Sequence, residues 1–232
     1  MPVFVLVHSP SVGPATWLPV AERLRGSGCA AVVPSLLAVG DGGPPFWPRV
    51  VAAVTAGLAG TEPRQPLVLV AHSNAGVFVP VLARGLGRPV AGSIFADATV
   101  PEPDGRTPMA GEGFLPFLRG LADPDGRLPR WTDWWEEDDV APMFPGPQAR
   151  EVITAEQPRL PLAYYLEHVP AAAGWDDHPC AYLLFSPAYQ DQAAEARRRG
   201  WPVRSVPGEH LHQIVDPGGV TSALLELAAA AP

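Results

Sequence analysis

Short runs of consecutive apolar residues punctuate the chain, and each ends at a turn-forming or polar residue. Val3–Val7 is the first, followed by Cys29–Val33, which stops at Pro34, and Leu67–Val70. Val90–Ala96 and Cys180–Phe185 follow the same form, and Pro202–Val206 reads as a last, shorter strand interrupted by Arg204 and Ser205. Runs that are apolar at nearly every position, rather than at every second one, predict strands buried on both faces. Apolar-periodic segments between them predict helices over Ala15–Arg25, Trp47–Leu58, Ala75–Leu86, Gln190–Arg199 and Val220–Ala230. Strands alternating with helices predict an α/β fold in which a mostly parallel sheet is covered on both faces.

The rhythm breaks between Glu102 and Asp177. Prolines are frequent there, several tryptophans appear, and no strand-like run occurs. The segment is either a helical insert or a set of long loops. Its best helix candidates are the Trp131–Trp135 stretch and Leu162–Leu166. No internal repeat, metal-ligand spacing, phosphate loop or dinucleotide-type glycine pattern is present.

Composition narrows the function classes. In 232 residues, 47% are hydrophobic and 17% charged, as expected of a globular domain with one sizeable core. A formal charge of −8 gives no electrostatic reason to bind nucleic acid or an anionic membrane. The apolar start at Met1–Val7 lacks a basic lead and a small-residue cleavage site, so it is expected to be a core strand rather than a signal peptide. No run approaches the length of a membrane span. Cys29 and Cys180 lie far apart in strand-like segments. Two free thiols in a cytoplasmic protein are expected, not a disulfide.

The chemistry concentrates in one stretch, Val68-Leu69-Val70-Ala71-His72-Ser73-Asn74-Ala75-Gly76. A buried strand breaks at Ser73 and re-emerges as a helix, as in the Gly-x-Ser-x-Gly nucleophile elbow, with Ala71 and Ala75 in place of the glycines. A serine on such a turn stands clear of the sheet, and the next backbone N–H groups face whatever it attacks. It still needs a base, and the base needs an orienting acid. The segment Pro207–Pro217 carries His210 and His212 after the last strand, on a loop at the same edge of the sheet. His8 and His72 are expected to lie near the site, chiefly as structural groups.

Taken together, these residues resemble the α/β-hydrolase superfamily over nearly the whole chain, most closely its small esterase and hydroxynitrile-lyase type. The opening Val-Leu-Val-His with Trp17 is similar to the first strand and oxyanion loop of that family. Ser73 matches the nucleophile. His210, with Pro217 seven residues on, matches the family histidine better than His212 does. The resemblance implies an α/β-hydrolase core formed by residues 1–101 and 179–232, and a helical cap over 102–178. Trp131, Trp134 or Trp135 in such a cap would reach substrate, as would His8, Ser11 and His212.

Two departures stand out. No carboxylate follows the strand Cys180–Phe185 until Asp191, so the acid is either Asp97, at the end of the preceding strand and favoured for its fixed geometry, or Asp191. The resemblance also places one oxyanion donor two residues after His8, where Pro10 has no N–H. Asn74 N–H would then act with a hydroxyl or N–H from Ser9 or Ser11, and losing one donor costs a factor on the order of 10²–10³ in acyl transfer. The expected activity is attack by Ser73 on a small-to-medium apolar ester, thioester or lactone, with no cofactor or metal and a small molecule as the partner. The alternatives are a lyase, decarboxylase or cyclase using Ser73 and His210 as acid–base groups, and a binding protein with a relic site.

Overall fold

The computed structural model describes residues 1–230. Ala231 and Pro232, at the end of the segment assigned to the core, lie outside the described residues. In chain order the strands are β1 (Val3–Val7), β2 (Ala30–Val32), β3 (Leu67–Ser73), β4 (Val90–Ala98), β5 (Gly105–Pro108), β6 (His168–Ala171), β7 (Cys180–Leu184) and β8 (Val203–Ser205). Six of them form one sheet in the order β2-β1-β3-β4-β7-β8, and every pairing in it is parallel. The expected α/β architecture is present.

The continuous apolar runs are explained by the two faces of this sheet. Val3, Val5 and Val7 of β1, with Leu67 and Leu69 of β3, enter one core; Phe4, Leu6, Val68 and Val70 enter the other. Successive side chains of a strand point to opposite faces, so a strand covered on both sides must be apolar throughout. Helices α1 (Leu18–Gly26), α2 (Trp47–Gly57) and α3 (Val79–Gly85) arise from the predicted periodic segments. The short α4 (Leu115–Leu121), α5 (Glu137–Val140), α6 (Pro147–Glu156) and α7 (Leu162–Tyr165) belong to the middle segment. α8 (Gln190–Arg198), α9 (His212–Val215) and α10 (Pro217–Ala229) close the chain. Val20 and Leu24 of α1 and Val220, Leu224 and Leu227 of α10 cover one face. α2, α3, α8 and much of the middle segment cover the other.

The middle segment differs from expectation. Its ends are tied by an antiparallel ribbon in which Gly105 pairs with Ala171 and Pro108 with His168. No apolar run announces these strands because both are edges of a ribbon, where proline is tolerated and only one side needs covering. Helices α4 and α6 also went unpredicted: each has a proline in its first turn, where no N–H is required. Trp131–Trp134 forms a 3₁₀ turn, and Leu162–Tyr165 is helical as expected. Cys29 is half-buried and Cys180 buried, and both are free thiols. No described helix is long and apolar enough to cross a membrane.

One contact fixes the turn after β3. A β-carbon added to Gly76 would lie 2.1 Å from the backbone oxygen of Thr99, just beyond β4. At the elbow, Gly76 is thus a position where no side chain fits without movement of the backbone. Because the obstacle is backbone, Gly76→Ala is expected to destabilise the fold by about 1–3 kcal/mol. Urea unfolding measures this, and an unchanged midpoint would show that the approach can relax.

Candidate active site

The strand ends build the site by departing from regular β geometry. Ser73 closes β3 with φ 58° and leads directly into a 3₁₀ turn over Asn74–Phe78, continued by α3. Positive φ is strained for serine, and the strain turns its side chain out of the strand alternation. On β4, His72 pairs with Ala96 but Ser73 pairs with Ala98, which leaves Asp97 as an extra residue in a bulge. Asp97 has φ 43°, a conformation that aspartate tolerates better than most residues. Bulges re-aim side chains. This one turns a carboxylate toward the end of β7.

Asp97 is fully buried and surrounded by donors. Its Oδ1 accepts from the N–H of Phe185 at 2.8 Å and of Ser186 at 3.1 Å. Its Oδ2 accepts from Ser186 Oγ at 2.6 Å and from His210 Nδ1 at 3.0 Å. Burial works against the charge, but the bonds from His210, Ser186 and Phe185 outweigh it and hold the carboxyl below its ordinary range. A carboxylate only accepts, so His210 carries its proton on Nδ1 and leaves Nε2 as the acceptor for Ser73 O–H, 2.9 Å away. Ser73, His210 and Asp97 are thereby linked in one chain of hydrogen bonds.

His210 is also held by its ring faces and its backbone. His72 stacks at 4.6 Å between centroids on one partner contact, and Tyr189 stacks at 4.8 Å with an interplanar angle of 1°. His72 Nε2–H donates to the carbonyl of His210 at 2.9 Å. Tyr189 Oη lies 3.3 Å from Ser73 Oγ.

These groups open onto a cavity of about 520 Å³, a volume suited to a small molecule. Trp131, Trp134, Trp135, Phe114, Met109, Met143 and Tyr165 supply most of its wall, with Ser9, Ser11 and Asn74 beside Ser73. Asn74 engages its side chain elsewhere: Nδ2 donates to Met109 O at 2.6 Å, and Oδ1 accepts from Tyr164 at 2.7 Å. Its backbone N–H, at the head of the 3₁₀ turn, has no acceptor within the helix. Ser9 Oγ and Ser11 Oγ are 2.9 Å apart, within hydrogen-bonding distance.

Among the sequence-predicted site residues, Ser73, His210, Asp97, Asn74, Ser9, Ser11, Trp131 and Trp135 meet at or beside this cavity. His8 and His212 do not, and their expected contact with substrate is corrected. His8 is buried and fully used, with Nδ1 donating to Ser9 O at 2.8 Å and Nε2 accepting from Leu36 N–H at 3.0 Å. His212 opens α9 with its ring near Phe185, because two residues along this turn reverse the side-chain direction. Asp191 is exposed in the first turn of α8, away from His210. Sequence reasoning missed Ser186, Tyr165 and Tyr189. Ser186 and Tyr189 follow the end of β7, and their position beside a strand end is the signal in the sequence that points to them. A second Ser–His pair, Ser93 Oγ to His178 Nε2 at 2.7 Å, lies near the opposite end of β4. Ser93 is buried within the strand, with no elbow to present it.

A family model described as "Alpha/beta hydrolase family" matches residues 4–229. No curated protein matches the chain. Among solved structures, an extracellular alpha/beta-hydrolase from a Paenibacillus species is similar, with TM-score 0.77, 16% identity, and 98% of this chain and 99% of that one covered. It is described as sharing structural and functional homology with tobacco salicylic acid binding protein 2. A pyrethroid hydrolase from Sphingobium faniae superposes with TM-score 0.70 at 21% identity, covering 99% and 98%. Tomato methylketone synthase I, complexed with 2-tridecanone, superposes with TM-score 0.71 at 13% identity, covering 100% and 99%. At these identities the likeness is one of fold.

The buried histidines give the fold a pH signature. Burial lowers His8 to about 4, and burial together with His210 lowers His72 to about 3, from an ordinary 6.5. Between those values and 6.5 the unfolded chain binds protons that the folded chain refuses, so stability falls as pH falls. Each histidine is expected to cost on the order of 2 kcal/mol between pH 7 and 5. Urea unfolding across that range measures the slope, which His8→Gln should reduce. A flat profile would contradict the burial of these rings as neutral groups.

Proposed function

The chain belongs to the alpha/beta hydrolase family, and from that membership we propose that it is a serine hydrolase of the esterase type. Its substrate is a small-to-medium apolar ester, thioester or lactone. Residues 1–101 and 179–232 form the core, and 102–178 a largely helical cap that walls the substrate cavity. The observation that carries the proposal is the unbroken relay from Ser73 through His210 to Asp97 at one end of the cavity. Two unpaired cysteines support a cytoplasmic location.

In this mechanism Ser73 Oγ attacks the acyl carbon while His210 Nε2 takes its proton. Asp97 holds the imidazole in the required tautomer and stabilises the imidazolium. The oxyanion forms beside Asn74 N–H, where the helix start favours negative charge. Pro10 supplies no second amide, so the other donor is the hydroxyl of Ser9, oriented by its bond with Ser11 Oγ. His210 then returns its proton to the leaving oxygen, and water completes the cycle by the same route. The aromatic wall favours an apolar acyl group.

A second reading deserves statement because Pro10 removes a donor that acyl transfer uses. On it, Ser73 and His210 move protons in a lyase, decarboxylase or cyclase reaction without an acyl-enzyme. Likeness in fold to a methylketone synthase is compatible with that chemistry.

A fluorophosphonate probe followed by intact-mass and peptide mapping separates the two. Stoichiometric labelling is expected at Ser73, with loss in Ser73→Ala and a fall on the order of 10³-fold or more in His210→Ala. Folded protein that stays unlabelled, together with no turnover of an ester and thioester panel, would discard the hydrolase in favour of the non-hydrolytic reading.

A further inference from the structure

Tyr189 has no task in the mechanism above, yet it touches two of the three groups that carry it. It ends the 3₁₀ turn Pro187–Tyr189 that follows β7. Its ring lies flat against the imidazole of His210, and its hydroxyl is 3.3 Å from Ser73 Oγ. Ser73 has a single hydroxyl hydrogen, which goes to His210 Nε2, so Tyr189 is the donor in its bond to Ser73. Among the described residues its hydroxyl makes no other hydrogen bond, so the phenol group does not anchor a neighbouring element. Burial pushes its pKa up to about 12, despite the bond to Ser73, and keeps it a neutral O–H donor at ordinary pH.

Both donors and acceptors here converge on one point. Nε2 of His210, at 2.9 Å, and Oη of Tyr189, at 3.3 Å, both reach the position of Ser73 Oγ. When Oγ bonds to the acyl carbon one of its lone pairs becomes the new bond and what remains is a weaker acceptor, so the Tyr189 O–H turns toward the next oxygen that approaches Nε2. In acyl transfer that oxygen is the leaving group.

We propose that Tyr189 is a further catalytic residue, whose O–H donates a hydrogen bond to the leaving oxygen as the acyl bond breaks. This deepens the serine-hydrolase proposal and rests on it. Ser73 Oγ forms its bond to the acyl carbon and its proton passes to His210 Nε2. On collapse, the bond from the acyl carbon to the leaving oxygen breaks, the electron pair stays on that oxygen, and the proton on Nε2 moves to it. Tyr189 keeps its own proton throughout. A donor placed there stabilises developing alkoxide charge, which is large for ordinary alcohols and small for stabilised phenolates. Sulfur accepts hydrogen bonds weakly, so a thiolate gains little as well. The substrate class is thereby narrowed to alkyl oxygen esters and lactones, in preference to thioesters.

Tyr189→Phe tests this, since it keeps the ring stacked on His210 and removes only the hydroxyl. Two esters of the same acyl group are compared by kcat/KM, one with p-nitrophenol and one with ethanol as leaving group. The ethyl ester is expected to lose about tenfold or more beyond any loss on the p-nitrophenyl ester. Equal losses on the two esters, or no loss on either, would overturn the proposal. Fluorophosphonate labelling of wild-type Ser73 runs alongside. A labelled, active wild type with equal losses discards Tyr189 alone, whereas an unlabelled and inactive wild type discards the hydrolase with it.

Discussion

The buried carboxylate of Asp97 is the group on which the rest of the site depends. An ionised carboxyl with no solvent around it is costly unless donors surround it. Here they come from two places in the fold: the backbone and hydroxyl at the end of β7, and the imidazole of His210 on the loop before α9. They converge because β4 and β7 are parallel neighbours, with Ala96 opposite Leu183. The bulge at Asp97 then turns the side chain across that boundary. Once His210 Nδ1 is committed to the carboxylate, Nε2 can only accept, and Ser73 is the group that donates to it. His72 secures the same histidine through its backbone carbonyl.

Much of this was legible in the chain. The apolar runs marked the central strands β1, β3, β4 and β7, which are buried on both faces and have little polar alternation to obscure them, while the edge strands β2 and β8 are short and partly exposed. The elbow was visible as a strand that breaks at Ser73, and Asp97 as a charge at the end of an apolar strand. The misses share physical causes. Pro116 and Pro147 suggested loops but sit in first turns of helices, where a missing N–H costs nothing. Pro108 and Pro170 lie in a ribbon with two edges. His8 and His212 flank reactive positions in sequence, but a strand end and a tight turn point them away from the cavity. Tyr189 carried no signal beyond being a hydroxyl near a strand end, since its role depends on a ring stack that no local pattern encodes.

The departure at Pro10 bears on chemistry more than on architecture. The loop after β1 still packs against the core, and Ser9 and Ser11 put hydroxyls at the cavity wall where an amide is missing. In the proposed hydrolase, side-chain hydroxyls thus supplement Asn74 N–H. A hydroxyl is a less fixed donor than a backbone amide, and the bond between Ser9 and Ser11 restrains it. The aromatic residues from the middle segment line much of the remainder of the cavity with apolar surface.

The central claim is that Asp97, at a strand end, orients His210, while Asp191 merely occupies the first turn of a helix. Ester turnover by Asp97→Asn and Asp191→Asn, measured side by side with wild type, tests it most directly. The account predicts a fall in kcat on the order of 10³–10⁴ for Asp97→Asn, as expected when the wrong imidazole tautomer is held, with Asp191→Asn matching wild type. Near-normal turnover by Asp97→Asn, or the larger loss in Asp191→Asn, would contradict it.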